Sequence, residues 1–193
     1  EQVKETKKDA ASAGESCVYT YDAASSKLTW TAFKTTEKLA VKGSFDSVYV
    51  YLSDNVSSPK NALESASFKI NTSSVFTDNT IRDATLRKYF FGLLKNNGEI
   101  TGQIKKVEGD DKAGDGTIEI SMNGVKRIYG YTYTIEGNVV VLKTAITFNS
   151  IEAYQAVDSL NVQCYELHKG PDGVSKLWPD VEIEIKAVLN KKC

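Results

Sequence analysis

The chain has 193 residues, of which 41% are hydrophobic and 25% charged, and 24 Lys and Arg stand against 25 Asp and Glu. This length and composition suit one soluble domain. The formal net charge of −1 provides no basic field for a polyanion, which argues against nucleic-acid binding. No run of apolar residues approaches the length of a membrane span.

Residues 1–16 are charged and rich in small side chains, and they offer almost nothing to bury. We interpret them as a flexible N-terminal tether. Residues 17–193 are then expected to form a single domain.

Much of the remaining chain alternates apolar and polar residues, which is typical of antiparallel strands with one face in water. The predicted strands cover residues 28–33, 45–52, 66–71, 100–107, 118–122, 128–135, 139–148 and 181–187. The Asn123-Gly124 pair indicates a two-residue hairpin, because type I′ turns need positive φ at both central positions. About eight such strands can close into a barrel whose interior holds side chains or one small ligand.

An aromatic-rich insert, residues 73–91, interrupts the strands after the third one. Thr80 followed by Asp83 resembles a capping box and predicts one short α-helix. The rings of Phe76, Phe90 and Phe91 need apolar surroundings, which the mouth or interior of a closed sheet provides. A second excursion, residues 150–178, includes a segment at 151–157 that fits one or two helical turns.

The cysteines Cys17, Cys164 and Cys193 show no CxxC spacing, and His168 is the single histidine. A structural zinc site normally needs four Cys or His ligands, so we predict no metal site. If the barrel closes with its first strand against its last, antiparallel pairing brings Cys17 and Cys193 together. We therefore predict a Cys17–Cys193 disulfide, with three buried or free thiols as the alternative.

Catalytic motifs are missing from the sequence. His168 lies beside Lys169 and a Gly-Pro-Asp-Gly turn, where we expect an exposed loop residue. A Ser-His-Asp hydrolase needs its histidine next to a nucleophile, and no G-x-S-x-G elbow occurs. We expect a binding protein without catalytic residues and without a cofactor.

Several short motifs follow one another in a familiar order. They are Gly43-Ser44-Phe45, then Ser74 and Thr77, then Arg82-Asp83-Ala84-Thr85-Leu86, then Phe90-Phe91, the strand and turn at residues 116–126, and Pro179-Asp180-Val181-Glu182-Ile183. In this order and spacing the chain resembles the YceI-like family over residues 27–189. The resemblance implies an all-β, lipocalin-like antiparallel barrel that binds polyisoprenoid or other long-chain lipids in an internal tunnel.

On this resemblance, we predict non-covalent binding of a long-chain lipid, such as a polyisoprenoid or an isoprenoid quinone, for transport or storage. The residues predicted to contact the lipid are Trp30, Phe45, Phe68, Phe76, Arg82, Leu86, Phe90, Phe91, Ile120, Met122, Tyr131, Tyr133 and Phe148. The guanidinium of Arg82 suits a polar headgroup near the barrel rim. Asp83 is expected to cap the helix instead.

The resemblance also implies export to the periplasm. The polar tether suits a lipoprotein anchored in a membrane, with the signal peptide removed before Glu1. An alternative function is a filled barrel that serves protein–protein interaction or adhesion without a lipid. Tyr49, Tyr51 and Tyr129, predicted on outer faces, would then form the interface.

Overall fold

In the computed structural model, residues 17–148 and 153–193 are described, and the predicted tether at 1–16 lies outside them. The described residues form a ten-stranded antiparallel sheet and three α-helices. The strands are β1 (Val18–Lys34), β2 (Leu39–Phe45), β3 (Val48–Tyr51), β4 (Ser67–Ile70), β5 (Val75–Phe76), β6 (Ile100–Gly109), β7 (Ala113–Met122), β8 (Val125–Glu136), β9 (Val139–Thr147) and β10 (Leu177–Lys192). The helices are α1 (Pro59–Ser65), α2 (Thr80–Tyr89) and α3 (Tyr154–Gln163).

The sheet curls into a half-barrel with the strand order β3-β4-β6-β7-β8-β9-β10-β1-β2-β5. First and last strands pair along their length, from Val18 opposite Lys192 to Lys34 opposite Leu177. The antiparallel, lipocalin-like all-β class predicted from the sequence is confirmed, with ten strands among the described residues instead of about eight.

One side of the half-barrel is not closed by strand pairing. β2 pairs with β1 only between Trp30 and Lys34, and β3 is a terminal strand of the sheet. The first half of β1 therefore faces β3 across a seam, which we define as residues 20–27 of β1 and Val48–Tyr51 of β3.

A disulfide joins the two ends of the domain. Cys17 precedes β1 and Cys193 follows β10, and the structure bonds them across 176 residues of sequence, the pairing predicted from strand closure. Cys164 carries a free thiol, and burial raises its pKa.

Several elements were not predicted from the sequence. The expected strand at residues 45–52 is two strands, because β2 ends at Phe45 and β3 begins at Val48. Helix α1 was also missed, although Ser58 caps it by accepting the Asn61 N–H at 3.1 Å and Pro59 occupies its first turn, both normal start signals. The structure thus contains α2, which the sequence predicted, α1, which it did not, and α3, which overlaps the helical turns expected at 151–157 and continues to Gln163.

Helix α2 begins at Thr80, as the insert suggested, but its cap differs from the prediction. The N-cap is Asn79, whose side-chain oxygen accepts the Arg82 N–H at 3.0 Å. Thr80 is already helical. Asn and Thr are both good N-cap residues, so consecutive capping residues left the helix start ambiguous by one position.

The prediction that His168 is an exposed loop residue is wrong. His168 is 7% exposed, at the end of a 3₁₀ turn that follows α3. Its Nδ1 hydrogen-bonds the Asn161 side-chain oxygen at 2.9 Å, and the Lys176 N–H donates to its carbonyl at 3.1 Å. Burial, together with the charge of Lys34, lowers the pKa of His168 from 6.5 to about 4.

This pKa predicts acid sensitivity. Between pH 6.5 and about 4, the unfolded chain takes up a proton on His168 that the native state does not, so stability falls as pH falls through this window. In the His168→Gln variant we expect the drop in unfolding free energy from pH 7 to pH 4.5 to be about 2 kcal/mol smaller than in wild type. Urea unfolding of both proteins at the two pH values measures this difference. Parallel pH profiles for the two proteins would contradict the prediction.

Candidate ligand-binding chambers

The interior of the half-barrel contains two chambers arranged one after the other. Chamber 1 encloses about 1200 Å³ of non-protein space and chamber 2 about 1390 Å³, in each case including the part open to solvent. On β1, residues 28–32 line chamber 1 and residues 21–28 line chamber 2; on β10, Val181–Ile185 line chamber 1 and Ile185–Leu189 chamber 2. The chambers thus succeed each other along the strand direction.

A set of five apolar side chains borders both chambers. We call this set the waist; its members are Leu28, Phe45, Phe68, Ile118 and Ile185. Leu28 and Ile185 are direct partners across β1 and β10. Two aromatic rings and three aliphatic side chains therefore separate one apolar space from the next.

Helical residues cover chamber 1 at the end away from the waist. Leu86 from α2, Phe90 at the C-cap of α2, and Val157 and Leu160 from α3 belong to its lining. Phe90 contacts Phe91 edge-on at 5.0 Å between centroids and Phe148 at 5.6 Å. Phe91 in turn contacts Phe45 of β2 at 5.7 Å. Such ring contacts, each worth about 0.5–1.5 kcal/mol beyond burial, connect the helical cover to the sheet.

Glycines hold two of the chamber aromatics flat against the sheet. Trp30 pairs across the strands with Gly43, and Phe68 pairs with Gly102. A Cβ atom added at either glycine would overlap the partner ring. The absence of a side chain at Gly43 and Gly102 therefore sets where these rings lie, and with them the shape of both chambers.

Chamber 2 also reaches the seam. Its lining includes Tyr21 and Lys27 from the β1 edge and Val48, Val50 and Leu52 from the β3 side. Ser26, Ser44 and Asp46 contribute polar groups there. At its other end the buried side chains of α1, Ala62 and Leu63, complete the wall.

The YceI-like domain family matches residues 19–189. This chain belongs to the YceI-like family. A comparison with curated protein sequences finds no match.

Solved structures share this YceI-like fold at low sequence identity. A polyisoprenoid binding domain from Saccharophagus degradans implicated in plant cell wall breakdown is 14% identical, with a TM-score of 0.61 over 91% of this chain and 99% of that one. BcnA from Burkholderia cenocepacia is 12% identical, with a TM-score of 0.58 over 90% and 100%. The Campylobacter jejuni YceI protein is 19% identical, with a TM-score of 0.54 over 79% and 85%.

Most of the lipid-contact residues predicted for this YceI-like chain lie in the chamber walls. The residues that line chamber 1 are Trp30, Phe45, Phe68, Leu86, Phe90, Phe91, Ile120, Met122 and Phe148. The structure thus brings them together in one space. Their contact with a lipid stays a prediction.

Tyr131 and Tyr133 point inward on β8 but lie outside both chamber linings. They are 3% and 2% exposed, and their hydroxyls donate to the carbonyls of Lys106 at 2.9 Å and Asp110 at 2.7 Å. Burial raises the pKa of Tyr131 to about 12. Their placement at the cavity was wrong because the two rings pack over glycines of β7, Tyr131 against Gly116 and Tyr133 against Gly114.

Tyr129 precedes them on the same inward face of β8. It lines chamber 1, so its expected place on an outer face is wrong. Tyr49 and Tyr51 are on the outside, 52% and 55% exposed.

Phe76 and Arg82 are also outside the chambers. Phe76 is 45% exposed on the short strand β5. The Arg82 guanidinium donates to the Thr77 hydroxyl at 2.9 Å and to the Thr77 carbonyl at 2.8 Å, and that hydroxyl donates to buried Asp83 at 2.6 Å. Arg82 therefore ties the start of α2 to the preceding segment, and the structure gives it no place at the chambers.

Other lining residues were missed although their strands were predicted. Leu28, Ile118, Val181, Ile183 and Ile185 all line chamber 1. Each is in phase with the inward face of its strand, so period-two alternation was the available signal. The aromatic side chains had been selected in preference to these aliphatic ones.

The chamber 1 lining is suited to binding an apolar molecule. Among its described residues there is no carboxylate, histidine or cysteine, and Arg127 alone is charged. The Thr144 hydroxyl donates to the Gly130 carbonyl at 2.7 Å. General acid–base catalysis most often uses a histidine or a carboxylate next to the substrate, and this lining contains neither.

Two further features concern residues 17–148 and 153–193 alone. No group of three or more His, Cys, Asp or Glu side chains is placed to hold a metal ion. None of the described helices is long and apolar enough to cross a membrane.

Proposed function

We propose that this YceI-like protein binds a long-chain apolar lipid, such as a polyisoprenoid or an isoprenoid quinone, and transports or stores it without catalysis. The observation that carries the proposal is the hollow interior, which consists of two mainly apolar chambers that share a waist. A long chain placed there would leave water along its length, and each buried methylene contributes about 0.8 kcal/mol.

The shape of the interior favours an elongated ligand. Apolar walls with few polar groups are typical of lipid sites, and tandem chambers suit a chain better than a compact molecule. The description of the Saccharophagus degradans relative as a polyisoprenoid binding domain adds support, as does membership of the same family. The lining of chamber 1, which contains no histidine, carboxylate or cysteine, supports binding in preference to turnover.

Filling chamber 1 should abolish uptake. Ala32 lies in its lining, and we expect Ala32→Phe to reduce solanesol binding at least tenfold while thermal stability stays the same or rises, because the ring occupies apolar space. Native mass spectrometry of delipidated protein incubated with solanesol gives the bound fraction.

Ala40→Phe is the matched control, because Ala40 is exposed on the neighbouring strand β2. It should bind like wild type. If wild-type protein neither retains a lipid on purification nor takes up solanesol, the proposed function is wrong. Equal binding by Ala32→Phe and wild type would remove chamber 1 as the site.

The alternative function, an adhesion or interaction module, expects a filled barrel. Tyr49 and Tyr51 remain available for it on the outer surface, half exposed. The hollow supports the lipid proposal. A partner that binds delipidated and lipid-loaded protein equally, through these tyrosines, would instead support the alternative.

We also propose a periplasmic location, which the Cys17–Cys193 disulfide supports because such bonds persist in oxidising compartments. The lipoprotein anchor at residues 1–16 concerns residues outside those described. Cell fractionation and the precursor sequence test both: a precursor without an export signal would contradict the location, and one without a lipidated cysteine before Glu1 would contradict the anchor.

A further inference from the structure

One buried hydrogen-bond donor in chamber 1 lacks a partner among residues 17–148 and 153–193. Trp30 is 8% exposed and lines the chamber, and its indole Nε1–H finds no acceptor among the described residues. Buried tryptophan N–H groups usually have a partner, since leaving one unsatisfied costs about 1–3 kcal/mol.

The surroundings of Trp30 hold its indole ring in place. The benzene side of the indole lies against Gly43, where an added Cβ would overlap the ring, so the ring is held close to β2. The Thr35 hydroxyl is the other buried group without a partner, but Thr35 lies outside the lining of both chambers. Trp30 is therefore the unsatisfied donor that belongs to a chamber.

Trp178, which lines the same chamber, shows the normal arrangement. Its Nε1–H donates to the Thr35 carbonyl at 2.7 Å, so its polar atom is satisfied by the protein. The two indoles thus differ in one respect relevant to a ligand: Trp178 has already used its donor, whereas Trp30 has not.

We propose that Trp30 is a specificity residue that donates a hydrogen bond to an uncharged oxygen, a carbonyl or ether, on the chain bound in chamber 1. The ligand class is then an apolar chain carrying such an oxygen, in preference to a pure hydrocarbon. An uncharged oxygen fits this lining because an anion would lose its hydration among apolar walls. This inference rests on the proposed lipid-binding function.

The test compares two ligands that differ in one group. Farnesylacetone, an isoprenoid ketone, is set against the hydrocarbon with a methylene in place of its carbonyl, and binding is measured by competition in native mass spectrometry. We expect wild-type protein to prefer the ketone by about tenfold, the equivalent of one satisfied buried hydrogen bond.

Two variants isolate the donor. Trp30 replaced by benzothienylalanine keeps the ring shape and removes the N–H, and Trp30→Phe removes both the N–H and part of the ring. Each should abolish the preference for the ketone, because the discrimination resides in the N–H group. Tyr154→Phe is the control, because Tyr154 is 57% exposed on α3 and lines neither chamber, and it should keep both lipid binding and the preference for the ketone.

The possible results distinguish a wrong role for Trp30 from a wrong lipid-binding function. Equal binding of the ketone and the hydrocarbon by wild type, or a preference that survives in both Trp30 variants, overturns the role of Trp30 and leaves lipid binding intact. Binding of neither molecule overturns the proposed function along with the inference.

Discussion

Replacing Cys17 and Cys193 with serine should lower the free energy of unfolding by about 5 kcal/mol, because the disulfide closes a loop of almost the whole domain. The two residues are 176 positions apart, and a longer closed loop removes more conformational entropy from the unfolded chain. A loss of this size is comparable to the total stability of many domains, so we expect the variant to be partly unfolded at 37 °C. Urea unfolding at 25 °C measures it.

The expected mechanism acts on the unfolded state and leaves the native contacts in place. β1 and β10 are paired independently of the disulfide, from Val18–Lys192 onwards. The folded double variant should therefore still bind lipid at low temperature.

Cys164→Ser is the matched control because Cys164 is outside the disulfide, and it should change stability by less than about 1 kcal/mol. If the double variant is as stable as this control, the disulfide contributes nothing, and reduction of wild type would then also be without effect.

The strands with strong alternation were predictable from the sequence because their local pattern matches their environment. β7 shows this best: Ile118, Ile120 and Met122 are buried and Glu119 between them is less so. The Asn123-Gly124 hairpin follows at positive φ for both residues, as type I′ geometry requires. In these segments local preference and tertiary contact agree, so one period identifies both the element and its inward face.

The elements that were missed are short or interrupted. β5 has two residues, and β2 contains Gly43 and Ser44, so neither gives a clear period. α1 has seven residues, too few for a helical stripe to stand out. Helix α1 packs against β1, β6 and β9, and β5 packs against β2 and α2. Sequence pattern does not encode such tertiary contacts.

The candidate site could be predicted only as far as the alternation shows which side chains of a strand point inward. Alternation gives the face on which a side chain lies, and Tyr129, Tyr131 and Tyr133 share one. It does not say where along the strand the interior is hollow, and only Tyr129 of the three lines a chamber. The unsatisfied N–H of Trp30 was equally invisible, because it depends on the absence of a distant partner.

A substitution at Gly102 tests whether a bound chain passes the waist, because Gly102 is the strand partner of Phe68. Its Cβ position coincides with the ring of Phe68 and lies 3.0 Å from the Glu119 carbonyl oxygen. Gly102→Ala must therefore displace the Phe68 ring from β6 and change the shape of the waist, to which Phe68 belongs. We expect a stability loss of about 1–3 kcal/mol from the forced contact.

The larger consequence should depend on chain length. Solanesol is long enough to need both chambers, so a reshaped waist should weaken its binding by about 10- to 100-fold if the same 1–3 kcal/mol opposes threading. Farnesol carries the same hydroxyl on a much shorter chain, fits within chamber 1, and should lose less than about threefold. Competition between the two alcohols in native mass spectrometry gives the ratio directly.

Two further variants test whether the Phe68 ring at the waist is what weakens solanesol binding. Gly130→Ala is the matched control, since a Cβ at Gly130 on β8 meets nothing within 4 Å, and it should alter neither ligand. Phe68→Leu in the Gly102→Ala background should restore solanesol binding, because the smaller side chain no longer obstructs the passage between the chambers. Equal losses for solanesol and farnesol in Gly102→Ala would mean that the chain never crosses the waist, and the ligand would then have to occupy one chamber alone.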